Sequence, residues 1–265
     1  MTLDLAKKWV LVTGASSGLG KEMAIQLAKN NNANLILIAR RLDNLEQIKN
    51  EIEAKYAVSV AIFKADLSLE SETKSVFEAI TNQFDLSAVI LNAGITHFGN
   101  HLEIAEFDRK NILNTNVLNT LYSIEFWADY FEKKNISSGL MIISSMGAYH
   151  PVPYQALYSG SKGFVFNFAF ALSYEIKNPN FSITLYTPSG IETEMTQSEK
   201  FDSLKNWMMP VDTAAKEAIY AMTHRKRVYI PGFFNRIGNF FMNFAPKTLI
   251  GAQMATLYRK SLGKQ

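Results

Sequence analysis

A tyrosine and a lysine four residues apart, Tyr158 and Lys162, open a long apolar run that reads as a helix, which puts both on one helix face. A phenol with a pKa near about 10 is a poor acid-base catalyst at neutral pH, and an ammonium beside it favours tyrosinate and draws that pKa down. Tyr-x3-Lys alone is common on helix surfaces. Here it follows Ser145 by thirteen residues, and Ser145 stands with Ser144 at the end of the apolar run Leu140-Met141-Ile142-Ile143. A serine and a tyrosine converging on one oxygen could hold it and exchange a proton with it.

Far upstream, Trp9–Thr13 runs into Gly14-Ala15-Ser16-Ser17-Gly18-Leu19-Gly20, followed by a helical pattern over Lys21–Lys29. Glycines in such a turn let the backbone bend tightly and approach a pyrophosphate, while the helix N-terminus offers free N–H groups to the anion. In dinucleotide folds the end of the second strand faces the adenosine ribose, where a carboxylate hydrogen-bonds both hydroxyls and repels a 2′-phosphate. That end reads Ile38-Ala39-Arg40-Arg41, without a carboxylate. A guanidinium grips a phosphate through two parallel N–H bonds, so NADP(H) is favoured over NAD(H), with Arg40 preferred to Arg41.

These groups need elements to position them. Short β-branched or leucine-rich runs recur at 9–13, 34–39, 58–63, 87–91, 140–144, 182–186 and 228–230, with amphipathic stretches between them. Continuous apolar strands such as Leu35-Ile36-Leu37-Ile38 suit a sheet covered on both faces, and the alternation implies a doubly wound parallel α/β fold. Residues 1–232 read as one Rossmann-like domain, and 233–265 as its helical extension: Phe234, Ile237, Phe241 and Phe244 recur at helical spacing, Pro246 interrupts, and a second helix follows.

The spacing Thr-Gly-x3-Gly-x-Gly, together with Tyr-x3-Lys, resembles the short-chain dehydrogenase/reductase family over residues 9–231. The resemblance implies that Gly14, Ser16, Ser17, Gly18, Leu19 and Gly20 bind the diphosphate and adenosine ribose. It assigns Asp66 to the adenine amino group, Leu67 to the ring's border and Asn92 to steadying its strand, with Ala93-Gly94 beside the nicotinamide ribose. Leu91 stands where the family more often has a second Asn. It further implies that Ser145 holds the substrate oxygen, Tyr158 exchanges its proton, and Lys162 binds nicotinamide-ribose hydroxyls. Asn116 would support a water relay to the lysine, with Asn111 and Asn114 as competitors and Ser144 as the rival of Ser145. Pro188, Ile191 and Thr193 match a loop contacting the nicotinamide amide, although Ser189 replaces the usual glycine.

The implied reaction is hydride transfer between a nicotinamide and a carbonyl or alcohol. The resemblance places the substrate wall at 195–209 and in the C-terminal segment, where Phe201, Leu204, Trp207, Met208 and Met209 suggest a hydrophobic small molecule. A homodimer or homotetramer is expected, with the apolar stretch Phe164–Leu172 serving core and subunit packing. The other class of reading is an NADP(H)-binding regulatory or scaffold protein without turnover.

Composition narrows the setting. The 265 residues contain no cysteine, which excludes disulfides, thiolate metal sites and cysteine nucleophiles and fits a reducing cytoplasm. The apolar start is too short for a signal-peptide core or a membrane span. His97, His101, His150 and His224 show no ligand spacing, so no metal is expected. Net charge is +3, yet residues 218–265 hold eight Lys/Arg and no Asp/Glu. This basic tail interleaves aromatic and aliphatic residues instead of forming a dense cluster, against nucleic-acid binding. Two readings of its aromatic stripe remain: packing on its own domain or a subunit, which aromatic stripes commonly do, and peripheral contact with an anionic membrane.

Overall fold

The computed structural model describes residues 2–196 and 208–263. Seven parallel strands form one sheet: β1 (Trp9–Thr13), β2 (Asn34–Ala39), β3 (Val60–Lys64), β4 (Leu86–Leu91), β5 (Ser138–Ile143), β6 (Phe181–Tyr186) and β7 (Val228–Tyr229). Their spatial order is β3-β2-β1-β4-β5-β6-β7, the doubly wound arrangement expected from the strand-helix alternation. The chain reverses its winding between β1 and β4, and the carboxyl ends of all strands share one edge.

Alternation along each strand divides the core. Val10, Val12, Leu35 and Leu37 point to one face with α1 (Gly18–Asn31), α2 (Leu42–Lys55) and α7 (Val211–Thr223). Leu11, Ile36, Ile38 and Val89 point to the other, against α3 (Glu70–Gln83), α5 (Asn119–Lys133) and α6 (Ala156–Glu175). Trp127, Phe77 and Phe131 are fully buried on the second face, and their rings contact one another. Both faces covered is why β2 carries no polar alternation. A shorter helix, α4 (Glu106–Leu113), runs into a π-helical turn over Asn114–Leu118 before α5.

The C-terminal segment forms α8 (Phe233–Met242) and α9 (Lys247–Ser261), separated at Pro246 as the sequence implies. The third strand begins two residues later than expected, at Val60, because pairing with β2 starts at Leu35↔Val60. Within α6, Val165, Phe166 and Ala169 enter the core, while Phe164 is exposed.

Candidate active site

The turn after β1 adopts left-handed backbone at Gly14 (φ +65°) and Gly18 (φ +54°), which a Cβ disfavours. Gly20 serves a different purpose. A Cβ there would lie 2.4 Å from the Gly14 carbonyl oxygen and 2.6 Å from Asn92 Nδ2, so this glycine lets α1 close onto the ends of β1 and β4. Thr13 fastens the same junction: its Oγ1 accepts from Asn92 N (2.9 Å) and Ala93 N (3.0 Å), and Asn92 Nδ2 donates to the Thr13 carbonyl at 3.0 Å. Thr13 was missed as a site residue, although its place directly before the first glycine was the available signal.

The first helical bond of α1 runs from Lys21 N to the Ser17 carbonyl, so the N–H groups of Gly18, Leu19 and Gly20 precede the helical ladder. No acidic residue occupies that first turn. Open amides, a positive helix end and glycine-permitted approach fit a dinucleotide diphosphate.

Two arginines flank this turn. Arg41 donates to Ser17 Oγ at 2.6 Å and Ser16 Oγ at 3.2 Å, and pairs with Glu194 at 3.1 Å. Arg40 lies 4.0 Å from Asp66, with its side chain 60% exposed. The structure thus brings Arg40 to Asp66 and seats Arg41 on the serines of the glycine turn. Leu67, Ala93 and Thr13 line one narrow crevice, together with Leu91 and Thr115. Thr193 packs over the turn, since a Cβ on Gly18 would lie 3.2 Å from Thr193 Cβ.

The ends of β4, β5 and β6 carry the remaining groups. Ser145 Oγ accepts from Gly147 N at 3.1 Å, fixing its position at the head of a short helical turn. Its rival Ser144 is buried and donates to the Lys162 carbonyl at 3.2 Å, a bond that ties β5 to α6. Met146 N donates to the Pro188 carbonyl at 2.8 Å, joining the Ser145 turn to the loop after β6. Ile191 forms a parallel bridge with Met209. Ser189, at the usual glycine position, accepts from Asn235 Nδ2 at 2.9 Å and so links that loop to α8.

Among the three asparagines, Asn116 is the buried one aimed at the site. Its Nδ2 donates to the Ile95 carbonyl (2.8 Å) and Ser161 Oγ (3.2 Å), and its Oδ1 accepts from Ile95 N (2.9 Å). The π-helical turn makes this reach possible by inserting an extra residue into the helix. A Cβ on Gly94 would lie 3.3 Å from Lys162 Nζ and 3.4 Å from Asn116 Oδ1, so Gly94 opens the space both groups border.

Tyr158 stands near enough to Ser145 for the serine side chain to act on its phenol. Burial raises the Tyr158 pKa above its ordinary value; the nearby Ser145 side chain opposes this, and nearby Tyr258 adds to it. Lys162 Nζ lies 5.9 Å from the Tyr158 ring centroid and donates to the Ile143 carbonyl at 2.9 Å. Burial pushes Lys162 down to about 8. The expected lowering of the Tyr158 pKa by Lys162 is therefore corrected: desolvation dominates, and it weakens the ammonium that was to exert the pull.

Tyr258, on α9, was not found from the sequence, one hundred residues from Tyr158. It meets Phe98 edge to face at 5.2 Å and clusters with Tyr154, Met208 and Leu262, so α9 supplies a wall near Tyr158. Phe201, Leu204 and Trp207 lie outside the described residues. His150 is buried and paired with Asn239 Oδ1 at 3.1 Å, a tie to α8. Among the described residues no group of three or more potential ligands converges on a metal position.

Comparison with known proteins agrees with this architecture. A model of the short chain dehydrogenase family matches residues 8–203. A very-long-chain 3-oxoacyl-CoA reductase of Vanderwaltozyma polyspora is 32% identical over 201 residues, covering 72% of this chain and 58% of its own length. An NADP-dependent 3-hydroxy acid dehydrogenase of Schizosaccharomyces pombe is 29% identical, covering 84% of this chain and 90% of its own. The solved structure from a study of 7beta-hydroxysteroid dehydrogenase stereoselectivity superposes with a TM-score of 0.84 at 19% identity, covering 96% of this chain and all of that one. The chain spans about three fifths of the length of the first curated relatives it matches.

Proposed function

The chain belongs to the short chain dehydrogenase family, and from that membership we propose that it is an NADP(H)-dependent oxidoreductase interconverting a carbonyl and an alcohol on a hydrophobic small molecule. The observation that carries the reading is the meeting of Tyr158 with the neighbouring Ser145 and Lys162, at the sheet edge that also holds the open N-terminus of α1.

In this reading residues 1–232 form the catalytic domain and 233–265 its extension. Gly14, Ser16, Ser17, Gly18, Leu19 and Gly20 cradle the diphosphate, Asp66 and Leu67 border the adenine, and Asn92, Ala93 and Gly94 flank the nicotinamide ribose. Pro188, Ile191 and Thr193 form the loop beside the nicotinamide amide. Arg40 and Arg41 supply the cations for a 2′-phosphate, Arg41 by turning from Glu194; the name of the fission-yeast relative supports NADP. A bound nicotinamide supplies or accepts the hydride.

The chain's own groups do the rest. Ser145 holds the substrate oxygen by a hydrogen bond. Tyr158, kept protonated at neutral pH by burial, donates its proton to that oxygen as the carbonyl is reduced, so no alkoxide accumulates. Lys162, steered by the Ile143 carbonyl, binds ribose hydroxyls, and Asn116 holds the Ile95 backbone beside it. Tyr258 and Phe98 form an apolar side of the substrate space. Exposed Phe164 and Tyr174 on α6 suit a homo-oligomeric contact.

The test is a panel of carbonyls and alcohols followed by NADPH absorbance. Turnover of hydrophobic ketones or aldehydes is expected. Tight NADPH binding with no turnover across the panel would move the assignment to the regulatory dinucleotide-binding class.

A further inference from the structure

Helix α8 is docked inside out. At 3.6 residues per turn, Phe233, Phe234, Ile237, Phe240, Phe241 and Phe244 fall within an arc of about 120° continuing into the turn after the helix. An apolar stripe of that width ordinarily faces a core. Here all six are exposed, Phe234 at 85% and Phe244 at 75% of full accessibility.

The opposite, polar face meets the protein. Asn235 donates to Ser189, Asn239 is buried and bonded to His150, and Arg236 lies 3.7 Å from Glu217. Gly232 N also donates to Glu217 Oε2 at 3.0 Å, fixing the start of the helix. The inward contacts of Asn235, Asn239 and Arg236 hold α8 with its phenylalanines turned outward. Leu249 and Leu257 on α9 extend the exposed apolar set, and clustered exposure of this size marks an interaction surface.

We propose that this α8–α9 face seats on an anionic lipid surface, with the phenylalanines entering the headgroup–acyl boundary. Charge selects the occupant: α8 and α9 carry no Asp/Glu, and the cations on α9 are Lys247, Arg259 and Lys260, while residues 1–217 are net negative at −5. A basic segment bearing an aromatic stripe is attracted by anionic headgroups and held by apolar burial. A second copy docked two-fold on the same face would bring two acid-free basic segments together. Among the described residues no helix is long and apolar enough to cross a membrane, so the contact is one of lying on the surface.

The experiment is flotation of the full chain with phosphatidylcholine vesicles, with and without phosphatidylserine, at low and high salt. The parent should float with serine-lipid vesicles, more weakly with neutral ones, and less at high salt. Phe234→Ser combined with Phe241→Ser, both exposed and so harmless to folding by circular dichroism, should lower the partition coefficient at least about tenfold. Three results would overturn the proposal: no flotation of the parent, equal flotation on neutral and anionic vesicles, or an unchanged double variant. A parent dimer that the double variant converts to monomer, without vesicle binding, would give the face to a second copy.

Discussion

Lys162 carries a cost that the fold tolerates for the sake of the site. Its pKa falls from 10.5 to about 8 through burial, which corresponds to about 3 kcal/mol of destabilisation while both folded and unfolded lysine are charged. Lys162→Met removes that burden and forfeits the hydrogen bond to the Ile143 carbonyl, worth about 1 kcal/mol. The variant is therefore expected to be more stable than the parent at pH 7 by about 2 kcal/mol, about 4 °C in Tm, while losing turnover. The pH dependence has a definite sign. Between about 8 and 10.5 the unfolded lysine still holds a proton that the folded one has released, so the parent's stability rises with pH through this window relative to the variant's. The advantage of Lys162→Met should shrink across it and reverse by about 1 kcal/mol above it. Urea unfolding of both proteins from pH 7 to 11 measures the difference directly, since tyrosine titrations common to both cancel. A variant less stable than the parent at pH 7, or a difference that does not change with pH, would refute the reasoning.

Gly20→Ala forces a Cβ to within 2.4 Å of the Gly14 carbonyl. It should cost about 2–3 kcal/mol in urea unfolding and weaken NADPH binding by displacing the amides of the turn. Asn116→Ala leaves both Ile95 backbone groups without their side-chain partner and is expected to lower stability by about 2 kcal/mol as well as turnover. Arg40→Ala and Arg41→Ala, measured by titration with both cofactors, should each weaken NADPH binding about tenfold and leave NADH within about twofold. A parent that binds NADH more tightly than NADPH would remove the cofactor assignment.

Much of the candidate site could be proposed from the sequence because its signals are local. The strand ends, the glycine turn and the Ser145, Tyr158 and Lys162 spacing are each written within a few residues, and parallel strands bring such ends to one edge. What escaped depends on partners far apart in the chain. Arg41 finds Glu194 across 153 residues, and Tyr258 reaches the site from the last helix. The tail shows the limit most clearly. Its aromatic stripe implied a packed face or a membrane face, and choosing between them required knowing that His150 and Ser189 stand ready to receive Asn239 and Asn235. The Tyr158 pKa could not be read from its neighbour in sequence either, because burial raises it and also lowers that of the lysine four residues away.

The central claim is that Tyr158 delivers the proton at this sheet edge. Tyr158→Phe keeps the ring and removes only the hydroxyl, so NADPH affinity should stay within about twofold while turnover of the best carbonyl falls at least about a hundredfold. Turnover equal to the parent's, at unchanged NADPH affinity, would contradict the account.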